Sequence, residues 1–152
     1  MKTEYQPLQA RYYRTEKEWS SIYRKYAAKK GVPESRFQIM YSVYVSGGGI
    51  TQTDICDGWS APLQTINSCL KQMEKEGVIA LYVDSDNRRK KRVRLTPEGE
   101  KIAAELVEPI MQAENASFSA LTPAEQAQLL ELTKRQLTVL KKISGRILRF
   151  GL

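Results

Sequence analysis

The sequence predicts a mainly α-helical fold carrying one small two-stranded β-hairpin. Two observations carry that expectation. Apolar residues recur at three- and four-residue steps over most of the 152 positions, the period of a helix with one buried face. The exception is a pair of short runs, VIALYV (78–83) and KRVRL (91–95), whose β-branched residues and alternation suit strands. With 41% hydrophobic and 27% charged residues, the composition is that of a folded chain rather than a disordered one. Its length fits one domain, or a small domain with an oligomerisation arm.

The elements follow in order. Leu8, Tyr12, Thr15, Trp19, Ile22 and Tyr26 form one stripe of a first helix that Pro7 starts and Gly31 ends. That stripe is either a seam for another helix or an ordinary face over the protein's own core. Pro33 opens a second helix with Phe37, Met40, Tyr41, Val43 and Tyr44 as its apolar set, and Gly47-Gly48-Gly49 closes it. Thr51 is positioned to cap a short third helix. A break at Gly58 and a new start at Ser60-Ala61-Pro62 then give two short helices joined by a tight turn.

The fourth helix sorts its residues sharply. Leu63, Ile66, Cys69, Leu70 and Met73 fall on one face, and Gln64, Thr65, Asn67, Ser68 and Lys71 on the other. Solvated faces favour Glu and Lys, which propagate helices; Gln, Thr, Asn and Ser are poorer in that respect but match the donor and acceptor edges of bases.

The hairpin comes next, with Asp86, Asn87, Arg88 and Arg89 at its tip and six cations among the seven residues from Arg88 to Arg94. So much like charge is tolerated where it meets a polyanion. Thr96 and Pro97 start a fifth helix through Ile102, Leu106, Ile110 and Ala113, which Pro109 is expected to bend or split. Thr122-Pro123-Ala124-Glu125 is a capping box opening a final helix to about Phe150. Leu129, Leu130, Leu132, Leu137, Val139, Leu140, Ile143 and Ile147 surround more than one of its faces.

Charge and chemistry narrow the function. The net charge of +7 sits entirely before residue 96, with +3 over 1–59 and +4 over 60–95, and residues 96–152 sum to zero. There is no histidine, which removes the usual general base and the histidine-containing zinc sites. Gly47-Gly48-Gly49 lacks the Lys-Ser/Thr of a phosphate loop, so neither enzyme activity nor a cofactor or metal is expected. Cys56 and Cys69 are not a Cys-x-x-Cys pair and are expected as thiols in a reducing compartment. No apolar run is long enough to span a bilayer or act as a signal peptide; the expectation is a cytoplasmic protein with no membrane partner.

A helix, a turn, a helix with a short polar face and a cationic hairpin, in that order, make a winged helix-turn-helix. The polar helix suits a major groove, and arginines at the tip suit the negative potential of the adjacent minor groove. The candidate DNA contacts are Ser60, Pro62, Gln64, Thr65, Asn67, Ser68 and Lys71 on the recognition helix, and Arg88, Arg89, Lys90 and Lys91 on the wing.

The stretch LKQMEKEGVIALYVDSDNRRKKRVRLTPEGEKIA resembles the MarR (multiple antibiotic resistance regulator) family of bacterial transcription factors, and the resemblance extends from about Pro33 to Ile110. Glu74, Lys75, Gly77, Arg89, Val93, Leu95, Thr96 and Gly99 fit the family pattern, whereas position 87 is Asn where the family has the acid that orients the wing arginine. Asp84 and Asp86 are the acids near enough to take that role. The resemblance implies a winged helix-turn-helix lobe over 33–95 and a helical dimerisation lobe from 1–30 and 96–152. It further implies a homodimer on a palindromic double-stranded DNA operator, often relieved by a small aromatic effector held between the lobes. Tyr12, Tyr13, Trp19, Tyr41 and Tyr44 are the aromatics for such a pocket, with a core role as the alternative. The competing reading from another class is a protein-interaction module whose basic hairpin docks an acidic partner.

Overall fold

A computed structural model describes residues 5–83 and 91–150. The elements are α1 (Pro7–Lys29), α2 (Glu34–Val45), β1 (Ile50–Thr51), α3 (Gln52–Trp59), α4 (Leu63–Lys75), β2 (Ile79–Val83), β3 (Lys91–Leu95), α5 (Pro97–Ser119) and α6 (Pro123–Phe150). The chain forms two compact units, Met1–Glu108 and Pro109–Leu152. The division falls inside α5.

In the first unit the helix limits follow local chemistry. Pro7 occupies the first turn of α1, where its missing N–H costs nothing. Gly31, at φ +68°, ends that helix, and the three glycines after α2 all take positive φ, which a Cβ disfavours. This sharp exit carries the chain into β1, a strand the sequence analysis did not anticipate. The sheet therefore has three antiparallel strands in the order β1-β3-β2, not two. Ile50 pairs with Val93 and Thr51 with Arg92, while Ile79 through Val83 pair with Leu95 back to Lys91.

Phe37, Ile39, Met40, Val43, Ile55, Ile66, Leu70, Met73, Ile79 and Val93 are buried together as the core of this unit. Thr96 joins the sheet to α5. Its hydroxyl donates to the Gly77 carbonyl at 2.6 Å and accepts the Gly99 N–H at 3.0 Å, an N-cap bond. A Cβ on Gly99 would lie 1.9 Å from the Val78 carbonyl oxygen, so the Leu-Thr-x-x-Gly pattern is a requirement for close backbone approach. Along α5, Leu106 and Ile110 are buried as expected, Ala103 and Val107 are buried as well, and Ile102 is exposed. Tyr26 of α1 donates its hydroxyl to the Leu106 carbonyl at 2.8 Å. Tyr23 of α1 also meets the Phe37 ring, whereas Leu8, Trp19 and Ile22 are exposed and Ala27 is the one buried residue of the helix.

In the second unit α5 continues through Pro109 to Ser119 and is not split there. A proline removes one donor and crowds one carbonyl, a local loss that the turns on either side outlast. Thr122 and Glu125 form the expected capping box: the Glu125 N–H donates to the Thr122 hydroxyl at 3.3 Å, and the Thr122 N–H to the Glu125 carboxylate at 2.8 Å. The Thr122 amide, and next its hydroxyl, donate to the Glu125 carboxylate and hold it below its ordinary pKa. No helix among the described residues is long and apolar enough to cross a membrane.

Candidate nucleic-acid interface

The turn that presents α4 is built by capping. Thr51 and Asp54 cap α3 reciprocally, with the Asp54 N–H donating to the Thr51 hydroxyl at 3.2 Å and the Thr51 N–H to the Asp54 carboxylate at 3.0 Å. Gly58 lies within α3 rather than ending it, and the break falls at Ser60, which takes the left-handed conformation at φ 52°. The Ala61 N–H then closes on the Cys56 carbonyl at 3.0 Å. Pro62 disfavours a helical Ala61, so α4 starts only at Leu63. Ser60 and Pro62, expected on the recognition helix, belong instead to the turn before it.

The faces of α4 separate nearly as expected. Ile66, Leu70 and Met73 are buried, while Gln64, Thr65, Ser68 and Lys71 are exposed and Asn67 is half-buried. Leu63 departs from the expected inner face and is 60% exposed, because the first turn projects past the core. No side chain caps this end, and its first turn holds no acidic residue. The positive end of the helix dipole is thus left available to an anion such as a phosphate.

The arginines divide between structure and surface. Arg36 pairs with Glu76 at 2.5 Å, tying the start of α2 to the end of α4, and this bond with a second from Gln72 holds the Glu76 carboxyl below its ordinary range. Arg92 donates to the Gly49 carbonyl, which fixes the glycine turn to β3. Arg94 lies over the Tyr82 ring at 5.4 Å, a cation–π contact. Lys91 is exposed at the base of the wing and shares a groove with Asn67 and Lys71 of α4 and Gln52 and Thr53 of α3. The helix face and the wing base therefore open onto one surface. Arg88, Arg89 and Lys90, with Asp84, Asp86 and Asn87, lie outside the described residues.

The aromatics expected around an effector are dispersed. Of the five, Tyr41 alone lines the cavity of about 680 Å³ behind the α3–α4 turn. Tyr44 donates to the Glu108 carboxylate at 2.6 Å, which raises its own pKa. Tyr12 donates to Glu16 at 2.9 Å, Tyr13 packs beside Tyr5 and Tyr12, and Trp19 is exposed. The rings that do meet Tyr41 in the cavity are Tyr23, Phe37 and Trp59. They come from three helices, and of the three only Phe37, in the apolar set of α2, was legible in the sequence.

Residues 34–99 match the family described as the winged helix DNA-binding domain. The chain is also similar in structure to NMB1585, a MarR family regulator from Neisseria meningitidis, with 20% identity over 93% of this chain and 99% of that one and a TM-score of 0.77. This is a MarR-type winged-helix fold. S. aureus MepR in its DNA-binding conformation shares the MarR-type fold at 20% identity, 89% and 99% coverage and a TM-score of 0.70. NadR in complex with 4-hydroxyphenylacetate shares it at 16% identity, 90% and 96% coverage and a TM-score of 0.67. No curated protein matches the chain in sequence.

Proposed function

We propose that this protein is a homodimeric transcriptional regulator that binds a palindromic operator in double-stranded DNA and responds to a small effector. The observation that carries the reading is α4: its core side is closed by Ile66, Leu70 and Met73, and the outward side of its first two turns offers the short hydrogen-bonding residues Gln64, Thr65 and Ser68, followed by Lys71. Asn67 and Lys71 open onto the same groove as Lys91 of the wing, so base contact and phosphate contact are available side by side.

Dimerisation is supported by two uncovered apolar surfaces. The α1 stripe and the α6 leucines remain exposed in the single chain, and a second copy covers both without a further partner. Two copies place two recognition helices about one helical turn apart on a duplex.

The test is a selection from random double-stranded DNA, followed by affinity measurements on the winners at increasing salt. A palindromic winner with half-sites about 10 base pairs apart is expected. Arg89→Ala should weaken binding to every sequence and reduce the slope of log affinity against log salt by about one. Steep salt dependence without sequence preference would overturn the reading in favour of a basic module for an acidic protein.

A further inference from the structure

The cavity behind the α3–α4 turn has a chemistry that DNA binding does not require. It holds about 680 Å³, within the usual range for a small-molecule site. Tyr23, Phe37, Tyr41 and Trp59 meet around it with ring centroids between 5.4 and 6.4 Å apart. Two carboxylates, Glu34 and Asp54, line it as well, and no lysine or arginine stands among its described lining residues. In a chain of net charge +7, that is a local inversion of sign.

We propose that this cavity binds an organic cation, a quaternary or protonated amine on an aromatic or bulky aliphatic body. Aromatic faces carry the negative end of a quadrupole and attract a cation within about 6 Å of the ring centroid, more strongly when water is excluded. Glu34 adds a full negative charge from an exposed position, whereas an Asp54 oxygen already accepts from the Thr51 amide and hydroxyl. An aromatic acid like the 4-hydroxyphenylacetate held by NadR would set its own carboxylate beside these two, with no cation on the described lining to offset the repulsion.

The same cavity reaches the DNA-presenting turn. The Trp59 indole N–H donates to the Ser42 hydroxyl at 2.9 Å, and the next residue is Ser60, the left-handed pivot. A cation that moves the Trp59 ring therefore moves the start of α4. This coupling rests on the regulator reading above; the binding itself does not.

The test is calorimetric titration of the whole chain, without DNA, using benzyltrimethylammonium, its uncharged carbon analogue neopentylbenzene, and 4-hydroxyphenylacetate. The cation should bind at least tenfold more tightly than the analogue, and the acid should give no binding heat. Glu34→Gln should weaken the cation threefold to tenfold and leave the analogue unchanged, which a merely structural Glu34 would not do. Binding of the acid in preference to the cation, equal binding of cation and analogue, or binding of none of them would overturn the proposal. Adding the cation to the protein–DNA complex should lower DNA affinity at least tenfold; a bound cation without that effect overturns the coupling alone. Should the chain bind no DNA at all, the regulator reading fails and the calorimetric result still decides the site.

Discussion

Helices α4 and α6 are both rich in apolar residues, yet only α4 buries them within the single chain. In α4, Ile66, Leu70 and Met73 are between 0 and 2% exposed. In α6, Leu129, Leu130, Leu132, Leu137, Val139, Leu140, Ile143 and Ile147 are all between 45 and 54% exposed. Covering a large aliphatic side chain is worth about 1.5 to 3 kcal/mol, so α4 draws its stability from its own unit, and α6 leaves a comparable amount to be gained from whatever covers it, a second copy in the function proposed above. Under the proposed function the contrast separates two tasks, a rigid α4 that reads a sequence and an α6 that brings two readers together.

The strongest way to break this contrast is to charge the uncovered face. Leu137→Glu with Leu140→Glu should abolish the dimer and leave each winged helix folded, seen in sedimentation velocity as a halved mass with unchanged near-ultraviolet circular dichroism. A folded dimer that survives the double change would show that α6 is not the seam. Truncating the covered face should act the other way. Leu70→Ala should cost about 2 to 5 kcal/mol in urea unfolding, through lost transfer energy and the cavity left behind, while the folded fraction stays dimeric.

Smaller changes sharpen the reading of α4 itself. Gln64→Ala and Asn67→Ala should each relax preference at particular base pairs by about 1 to 3 kcal/mol, with wild-type thermal stability. A uniform loss across all sequences would recast them as phosphate contacts. The smallest effect is expected at the far end of the helix. Glu76 titrates below its ordinary range because of Arg36 first and Gln72 second. A carboxyl lowered in the folded state contributes stability above its unfolded pKa and loses it as pH falls through the folded one. The melting-temperature gap between wild type and Arg36→Met should therefore be present at neutral pH and close in acid; a gap independent of pH would place the Arg36 contribution in packing.

The same contrast explains what could be read from the sequence. Helix limits at Pro7, Thr122 and Pro123 were legible because caps act on the nearest few residues, and the hairpin strands were legible from their alternation. The break at Ser60 was not, since a left-handed serine is set by the turn that follows Cys56 and not by its own preference. β1 is two residues long and gains its identity only from pairing with β3. The exposed polar side of α4 was legible because it is a property of one helix. The aromatic cavity was not, because Tyr23, Phe37, Tyr41 and Trp59 are neighbours only after three helices have packed.

Recognition of DNA by a dimer is tested most directly by how many chains occupy one operator. Native mass spectrometry of the protein on its selected duplex should show two chains per duplex for wild type, with the Leu137→Glu, Leu140→Glu protein losing at least tenfold in affinity. One chain per duplex at full wild-type affinity would contradict it, leaving α4 as a reader that needs no partner and the apolar face of α6 without a role in binding DNA.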